Sequence, residues 1–337
     1  MSRVAAFGEV MMRLEVPRYA TLLQSSSLNY SFSGTGVNVV SALTRYGHKG
    51  FLLTVLPDNP LGDAAIAYLR RLGIQTDYAA RGGRYIGSYF LEHGFGARPS
   101  RVTYTDRWGS SFNTAEFDDE WFKAAVAEID AIHFCGITLA MNDGVRAAMK
   151  RLGRAAKAAG KTVIFDCNYR PSLWGDGGYE LAKPHYEEML ELADIAFMNE
   201  RDAIHILGMT TSEQNRADQL RELIPQAAQR YKLNTVAGTH RSINGDNTHS
   251  LTGYMYKGGE FHFSNQLTFA VYDRVGAGDA YASGIIHGEL QNASPSHTVE
   301  FAAAAAMLAH TVAGDTPLAT EGEVLEAMGK EIRDISR

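Results

Sequence analysis

The sequence predicts an α/β fold, in which a mostly parallel sheet is flanked by helices and carries a smaller β insertion. Short β-rich runs alternate with amphipathic helical stretches for most of the chain, as in parallel sheets with helical crossovers. Two segments, about 10–33 and 84–110, are rich in Tyr, Phe, Ser, Thr and Gly and lack a helical period. Because no linker composition or repeat is present, we expect one domain over residues 1–337 with a β lid from those two segments.

The alternating elements can be assigned in chain order from their apolar periodicity. The predicted strands cover residues 4–7, 51–55, 131–135, 162–167, 195–198 and 235–238. The predicted helices cover residues 38–46, 60–72, 144–159 and 179–192. A glycine follows each of the first three helices (Gly47, Gly73 and Gly160), as is typical of helix ends. Residues 254–256 and 260–263 flank two glycines and predict a hairpin.

Composition and charge argue against several classes of protein. The chain has 38 acidic residues against 32 Lys and Arg, so no basic excess is available to bind nucleic acid. The longest apolar run, residues 301–309, is far shorter than the roughly 20 residues of a membrane span, and charges come too early for a signal peptide. Cys135 and Cys167 lie in apolar runs, which predicts buried thiols. We therefore expect a cytoplasmic protein without nucleic-acid or membrane partners.

The strongest chemical signal is the stretch Asp-Arg-Val-Gly-Ala-Gly-Asp at 273–279, which runs into a helix of small residues. A glycine-rich turn at a helix start leaves backbone N–H groups free to bind an anion. Asp279 would lie beside an incoming phosphate, where it could accept a proton from an attacking hydroxyl, so the pattern favours phosphoryl transfer. The alternative is that Asp279 only caps the helix.

Two other nucleotide-binding patterns do not fit this turn. The chain contains no Gly-x-x-x-x-Gly-Lys-Ser/Thr stretch, which disfavours a P-loop kinase. Tyr281 occupies the third glycine position of a dinucleotide fingerprint, so that pattern fails as well.

These residues resemble the ribokinase-like (PfkB) family of sugar kinases. The stretch 273–279 is similar to the family signature Asp-Thr-x-Gly-Ala-Gly-Asp, with Arg274 in place of Thr. Residues 33–39 resemble its N-terminal signature Gly-Gly-x-x-x-Asn-x-Ala, with Ser33 in place of the first Gly. Matches follow in family order from residue 5 to about 320. The resemblance implies a three-layer α/β/α fold, a dimer formed through the β lid, ATP with Mg²⁺, and a monovalent cation such as K⁺ as a further candidate.

The resemblance also implies which residues carry the transfer chemistry. Residues 166–174 are similar to the Asp-x-Asn-x-Arg-x-x-Leu-Trp stretch of 2-keto-3-deoxygluconate kinases, and fructokinases carry a similar stretch. Its arginine would stabilise charge on the transferring phosphoryl group; the alternative is an arginine paired with surface carboxylates. The catalytic candidates are Asp279, Arg170, Gly276, Ala277 and Gly278.

The lid segments carry the expected substrate contacts. Tyr89, Tyr104 and Arg107 match two tyrosines and an arginine of the keto-acid kinases, and two phenols with a cation suit a small polyhydroxy carboxylate. Asp106 is an extra residue before Arg107; if it faces the sugar, a neutral polyol is the better substrate. Packing within the lid is the alternative role of these aromatic residues. The substrate-binding candidates are Gly34, Asn38, Tyr89, Tyr104, Arg107, Asn168, Arg170, Asp279 and Asp315.

The nucleotide side departs more from the family pattern. Asn199 and Asp202 lie where the family has Asn-x-x-Glu, which helps hold Mg²⁺ through water, so Asp202 is the metal candidate; a charged first turn of a surface helix is the alternative. Thr239 and Arg241 replace a Gly-x-x-Gly run that borders ATP. The nucleotide-binding candidates are Asn168, Thr239, Arg241, Gly276 and Gly278.

Three functions follow, in order of preference. The first is ATP-dependent phosphorylation of a terminal hydroxyl of a keto-sugar acid, 2-keto-3-deoxygluconate, to its 6-phosphate. The second is a fructokinase-like kinase of a neutral sugar. The third is a non-catalytic sugar- or nucleotide-binding protein on a kinase scaffold, which the departures at Ser33, Asp202 and Arg274 motivate.

Overall fold

A computed structural model describes residues 1–329 of the chain, with two sheets and helices on both faces of the larger one. The strands are β1 (Arg3–Phe7), β2 (Met11–Glu15), β3 (Asn29–Ser33), β4 (Lys49–Leu56), β5 (Ala79–Arg81), β6 (Gly87–Glu92), β7 (Arg101–Tyr104), β8 (Ala131–Cys135), β9 (Thr162–Asp166), β10 (Ile195–Phe197), β11 (Thr235–Ile243), β12 (His249–Lys257), β13 (Glu260–Phe263) and β14 (Leu267–Phe269). The helices are α1 (Thr35–Arg45), α2 (Pro60–Arg71), α3 (Asp119–Glu128), α4 (Gly136–Leu139), α5 (Asp143–Ala158), α6 (Pro171–Trp174), α7 (Gly178–Leu192), α8 (Arg216–Tyr231), α9 (Ala277–Leu290), α10 (Pro295–Ala309) and α11 (Glu321–Met328).

The central sheet has ten strands in the order β13–β12–β11–β10–β9–β8–β1–β4–β5, with β14 paired to β12. The seven strands from β11 to β5 pair in parallel, and the others are antiparallel at one edge. Strands such as β8 are buried along their whole length because helices cover both faces. The predicted fold class, a mostly parallel sheet within three layers, is confirmed.

Each face of the central sheet carries its own helical layer. One apolar core joins α3, α5, α7 and α8 to the sheet through residues such as Met149 and Leu190. The second core joins α1, α9, α10 and α11 to the opposite face through residues such as Ile285 and Phe301. The site residues lie between these layers, at the sheet end where the parallel strands terminate.

The smaller sheet has four strands in the order β3–β2–β6–β7, and we refer to it as the lid sheet. Strand β2 pairs in parallel with β6, and the other pairs are antiparallel. Its strands come from the two segments that the sequence marks as a β insertion. Met11 and Leu91 face inward, whereas Tyr30 and Val102 are exposed.

Several boundaries differ from the sequence prediction. The helix expected at 38–46 begins earlier, at Thr35, and residues 35–37 form its first turn. The strand expected at 235–238 continues to Ile243, since all of β11 pairs with β12. The prediction omitted α3, α8, α10 and α11; in α8, Pro225 interrupts the helical pattern. The hairpin at two glycines is confirmed, with Lys257 opposite Glu260. Within residues 1–329 no helix is both long and apolar enough to cross a membrane.

Candidate active site

A cleft of about 890 Å³ opens at the carboxyl ends of the parallel strands, beneath the lid sheet. Ligands bind in this position in open α/β sheets. All but one of the predicted site residues line it: Gly34, Asn38, Tyr89, Tyr104, Arg107, Asn168, Arg170, Asp202, Thr239, Arg241, Gly276, Gly278, Asp279 and Asp315. The exception is Ala277, whose side chain packs against Ala280 and Ala309 instead.

The glycine-rich turn presents free backbone amides to this cleft. Gly276 caps α9 with φ +82°, and no side chain caps the helix. A Cβ at Gly276 would lie 1.7 Å from the Asp315 carbonyl oxygen, so the close approach requires glycine. The first helical bond is from Ala280 N–H to the Gly276 oxygen, at 2.9 Å, which leaves the amides of residues 277–279 available to an anion. A Cβ on Gly278 would meet no atom within 4 Å, so the space beside it is open.

Asp279 is the buried acid in the first turn of α9, three residues after the cap, so it does not cap this helix. Its Oδ2 accepts a hydrogen bond from Asn38 Nδ2 at 2.7 Å. Burial raises the pKa of Asp279 to about 7, while the Asn38 hydrogen bond and the Arg170 charge act against that rise. A carboxylate with such a pKa is suited to general base catalysis near neutral pH.

Two further carboxyl groups lie near Arg170. Burial raises the pKa of Asp166, at the end of β9, to about 8; the Asp279 charge adds to the rise and Arg170 opposes it. Burial also raises the pKa of Asp202 to about 6, although its hydrogen bond from Asn199 N–H at 2.8 Å opposes the shift. Arg170 is exposed and forms no ion pair with the rest of residues 1–329, so the alternative of a surface ion pair is not supported.

Three acidic side chains, Asp166, Asp202 and Asp279, therefore lie at this end of the cleft beside Arg170. The described part of the chain has no group of three or more His, Cys, Asp or Glu side chains that could hold a metal ion. Mg²⁺ commonly binds one or two carboxylates, with water and substrate phosphates completing its octahedron. The carboxylates of Asp166 and Asp202 fit a cation held in that way, because a bound cation favours their ionised form.

Glu200 is the neighbouring acid that does not face the cleft. It is fully buried, ion-paired with Arg216 and hydrogen bonded to His240 Nε2, the latter at 2.9 Å. Because Glu200 is satisfied by these partners, Asp202 is the acid of this segment that lines the cleft.

On the lid side, the Tyr89 hydroxyl both donates and accepts a hydrogen bond. Its hydroxyl donates to Asp315 Oδ2 at 2.5 Å and lies 2.9 Å from Ser33 Oγ. Ser33, which replaces a family glycine, thus contacts a candidate substrate residue. The half-exposed Tyr104 ring lies 5.9 Å from the Tyr89 ring, and the Arg107 guanidinium lies 5.6 Å from the Tyr104 ring centre.

Arg107 is held by an acid from the sheet side. Its Nε donates to Glu9 Oε2 at 2.6 Å, and both residues are buried. Glu9 also accepts hydrogen bonds from Ser110 at 2.7 Å and Asn113 at 3.3 Å. Asp106 accepts from Gly109 N–H at 3.1 Å and does not line the cleft, so the neutral-sugar role considered for it is not supported.

A second cationic region lies near the glycine turn. Arg241 and Arg274 both line the cleft, and neither forms an ion pair within residues 1–329. Burial and the nearby Arg274 charge lower the pKa of Arg241. Two guanidinium groups held close together favour an anion carrying several charges, such as a nucleotide phosphate chain.

Four residues that the structure places at or beside the site were not predicted from the sequence: Glu9, Arg13, Asp166 and Arg274. Arg13 is fully buried and ion-paired with Asp315. Its signal in the sequence is a charged residue within the short apolar stretch of residues 10–14, which was not interpreted.

Comparison with known proteins agrees with this geometry. The family model "pfkB family carbohydrate kinase" matches residues 1–321. A 2-dehydro-3-deoxygalactonokinase from Haloferax volcanii is 28% identical over 323 residues, which is 96% of this chain and 95% of that protein.

Two solved structures are similar over nearly the whole chain. A provisionally assigned 2-keto-3-deoxygluconate kinase from Enterococcus faecalis is 40% identical with a TM-score of 0.96, covering 100% of this chain and 99% of that one. The 2-dehydro-3-deoxygluconokinase from Thermotoga maritima is 34% identical with a TM-score of 0.91, covering 97% and 98%. This chain therefore belongs to the pfkB family of carbohydrate kinases, which are phosphotransferases acting on a sugar hydroxyl and using ATP and Mg²⁺.

Proposed function

We propose that this kinase phosphorylates the terminal hydroxyl of 2-keto-3-deoxygluconate. The observation that carries the proposal is the lid cation Arg107, which lines the cleft beside Tyr104 while Glu9 binds its Nε. With Nε occupied, the two Nη groups remain to bind a substrate carboxylate. The relatives that act on 2-keto-3-deoxy sugar acids support the same substrate class.

Catalysis in this proposal needs a base and stabilisation of charge. Asp279 accepts the proton of the acceptor hydroxyl, whose oxygen attacks the γ-phosphorus of ATP while ADP leaves. The free amides of residues 277–279 and the Arg170 guanidinium stabilise the charge on the transferring group. Thr239, Arg241 and Arg274 line the cleft and would contact the nucleotide phosphates.

Two cations belong to the proposal. Mg²⁺ would be held near Asp166 and Asp202, mainly through water and phosphate oxygens, and it would neutralise phosphate charge. A monovalent cation such as K⁺ is proposed beside Asp315, where Glu15, Asp273 and Asp315 outnumber the single Arg13 guanidinium. Comparing the rate in K⁺ with that in tetramethylammonium at equal ionic strength tests the second cation.

The proposal also covers assembly and location. In this proposal the chain is one kinase domain, and two copies dimerise through the lid. Support comes from exposed apolar side chains in the lid segments, among them Leu23, Tyr30 and Phe95. The two buried free cysteines fit a reducing compartment such as the cytoplasm. Light scattering tests the dimer, and a monomer at micromolar concentration would contradict it.

The deciding experiment measures coupled ADP release with Mg·ATP for 2-keto-3-deoxygluconate, its galacto epimer, fructose and ribose. We expect kcat/KM to favour the two deoxy keto-acids. A preference for fructose would mean that the pocket binds a neutral sugar rather than a substrate carboxylate. Nucleotide binding without ADP release over a broad sugar panel would favour the non-catalytic alternative.

A further inference from the structure

Arg13 lies in the middle of the lid strand β2, and its side chain is completely shielded from solvent. Burying a guanidinium is costly unless its N–H groups are paired. Here Nη1 donates to Asp315, Nη2 donates to Asp273 Oδ2 at 3.2 Å, and Nη2 and Nε reach Glu15 Oε2 at 2.7 and 3.1 Å. Three carboxylates from three parts of the chain therefore meet at one guanidinium.

One edge of this network reaches the proposed sugar pocket. Asp315 uses Oδ1 for Arg13 and Oδ2 for the Tyr89 hydroxyl, at 2.5 Å. Tyr89 and Asp315 both line the cleft. Arg13 itself does not line it, so any effect of Arg13 on a sugar passes through these two side chains.

The other edge reaches the anion-binding turn. Asp273 Oδ1 accepts the backbone N–H groups of Arg274 at 2.7 Å and Val275 at 3.1 Å, immediately before Gly276. Its Oδ2 accepts both Arg13 Nη2 and the N–H of Gly314, at 3.2 Å each. The orientation of the Asp273 carboxylate therefore determines how the backbone enters the turn.

We infer that Arg13 is a positioning residue that aligns the sugar pocket of the lid with the phosphate-binding turn. The inference rests on the proposed function, because alignment of acceptor and phosphoryl group is what it would serve. The planar guanidinium has separate donors for each carboxylate, whereas a lysine ammonium is a point charge on a flexible stem. The Arg13→Lys variant therefore keeps the positive charge but loses the fixed donor geometry that aligns the three carboxylates.

Amide hydrogen exchange tests the backbone part without any substrate. In Arg13→Lys we expect exchange at residues 274–275 and 314 to accelerate about 10-fold, because their acceptor Asp273 is no longer held in one orientation. Exchange within α5 should stay unchanged. Arg98→Lys, at an exposed lid residue whose side chain donates to the Tyr19 carbonyl, is the matched control and should change neither region.

Steady-state kinetics test the catalytic part. We expect Arg13→Lys to lower kcat and raise KM for the acceptor, with a combined loss of about 10- to 100-fold. Because Arg13 acts on the sugar through Asp315, the double variant Arg13→Lys/Asp315→Asn should lose little more than the worse single variant. If Arg13→Lys does not fold, Asp315→Asn alone must raise the acceptor KM and leave exchange at 274–275 unchanged.

Three results would overturn the inference: unchanged exchange and kinetics in Arg13→Lys, acceleration that extends equally through α5, or independent losses in the double variant. A different result tests the proposed function. If the wild-type protein phosphorylates no sugar of the panel but Arg13→Lys still accelerates exchange at 274–275 and 314, the substrate assignment fails and the positioning of the turn by Arg13 stands.

Discussion

The two sides of the cleft hold their site residues by different means. On the sheet side, Asp166 ends a strand, and Asp279 and the turn at Gly276 begin a helix, so the backbone itself places them. On the lid side, side-chain contacts hold the site residues: Glu9 binds Arg107, and Asp315 and Ser33 bind Tyr89. Substitutions on the sheet side should therefore change the chemistry, whereas those on the lid side should change which sugar is accepted.

The sharpest test of the sheet side is Asp279→Asn. We expect kcat to fall by about 10²–10⁴-fold, the usual contribution of a positioned base, because an amide cannot accept the proton. The acceptor KM should change only a few-fold, since the shape of the cleft is kept. Asp176→Asn, an exposed acid, serves as control. An Asp279→Asn enzyme retaining more than about a tenth of the wild-type kcat would contradict the role of base.

Two glycines of the same turn should respond differently to alanine. One is required by the fold, and the other leaves room for a ligand. Gly276→Ala should lower the urea midpoint, because its φ of +82° and the Asp315 carbonyl exclude a Cβ. Gly278→Ala meets no protein atom within 4 Å, so the urea midpoint should stay close to that of the wild type. The methyl group would enter the proposed phosphate space, and we expect kcat/KM to fall about 10-fold or more. Full activity in Gly278→Ala would show that the phosphate lies elsewhere.

On the lid side, Arg107→Ala tests sugar selection. Loss of a charge-assisted contact worth about 1.5–3 kcal/mol predicts a loss of about 10- to 100-fold in kcat/KM for 2-keto-3-deoxygluconate, with a much smaller loss for fructose. Glu9→Gln should give a weaker loss of the same kind, because Arg107 loses its ion pair at Nε. Equal losses on acidic and neutral sugars would instead support a neutral-sugar kinase.

The smallest expected effect concerns stability and pH in the absence of Mg²⁺. Burial raises the pKa values of Asp166 and Asp279 to about 8 and about 7, from a reference of 3.8. The native protein therefore binds more protons than the unfolded chain between about pH 4 and 8, and these groups make stability fall as pH rises through that range. Asp166→Asn should raise Tm relative to wild type by a few degrees more at pH 8 than at pH 5. A Tm difference independent of pH would contradict the raised pKa; Asp176→Asn is again the control.

Local sequence patterns were enough to predict the elements with strong periodicity and clear ends. The strand at Ala131–Cys135 was predicted to the residue, and the helix at Pro60–Arg71 within one. Patterns were insufficient where a proline hides the helical period, as in α8. The lid strands were located only as segments, because their alternation is weak and their register depends on pairing across the chain.

The fold class and the glycine turn before α9 could be predicted from local patterns, because these patterns involve residues that are near one another in the chain. The folded structure was needed to show which groups meet: Asn38 with Asp279, Glu9 with Arg107, and Arg13 with Asp273 and Asp315. These contacts join residues between 98 and 302 positions apart, a separation that no local period encodes. The raised pKa values of the acids have the same origin, since they result mainly from burial by distant parts of the chain.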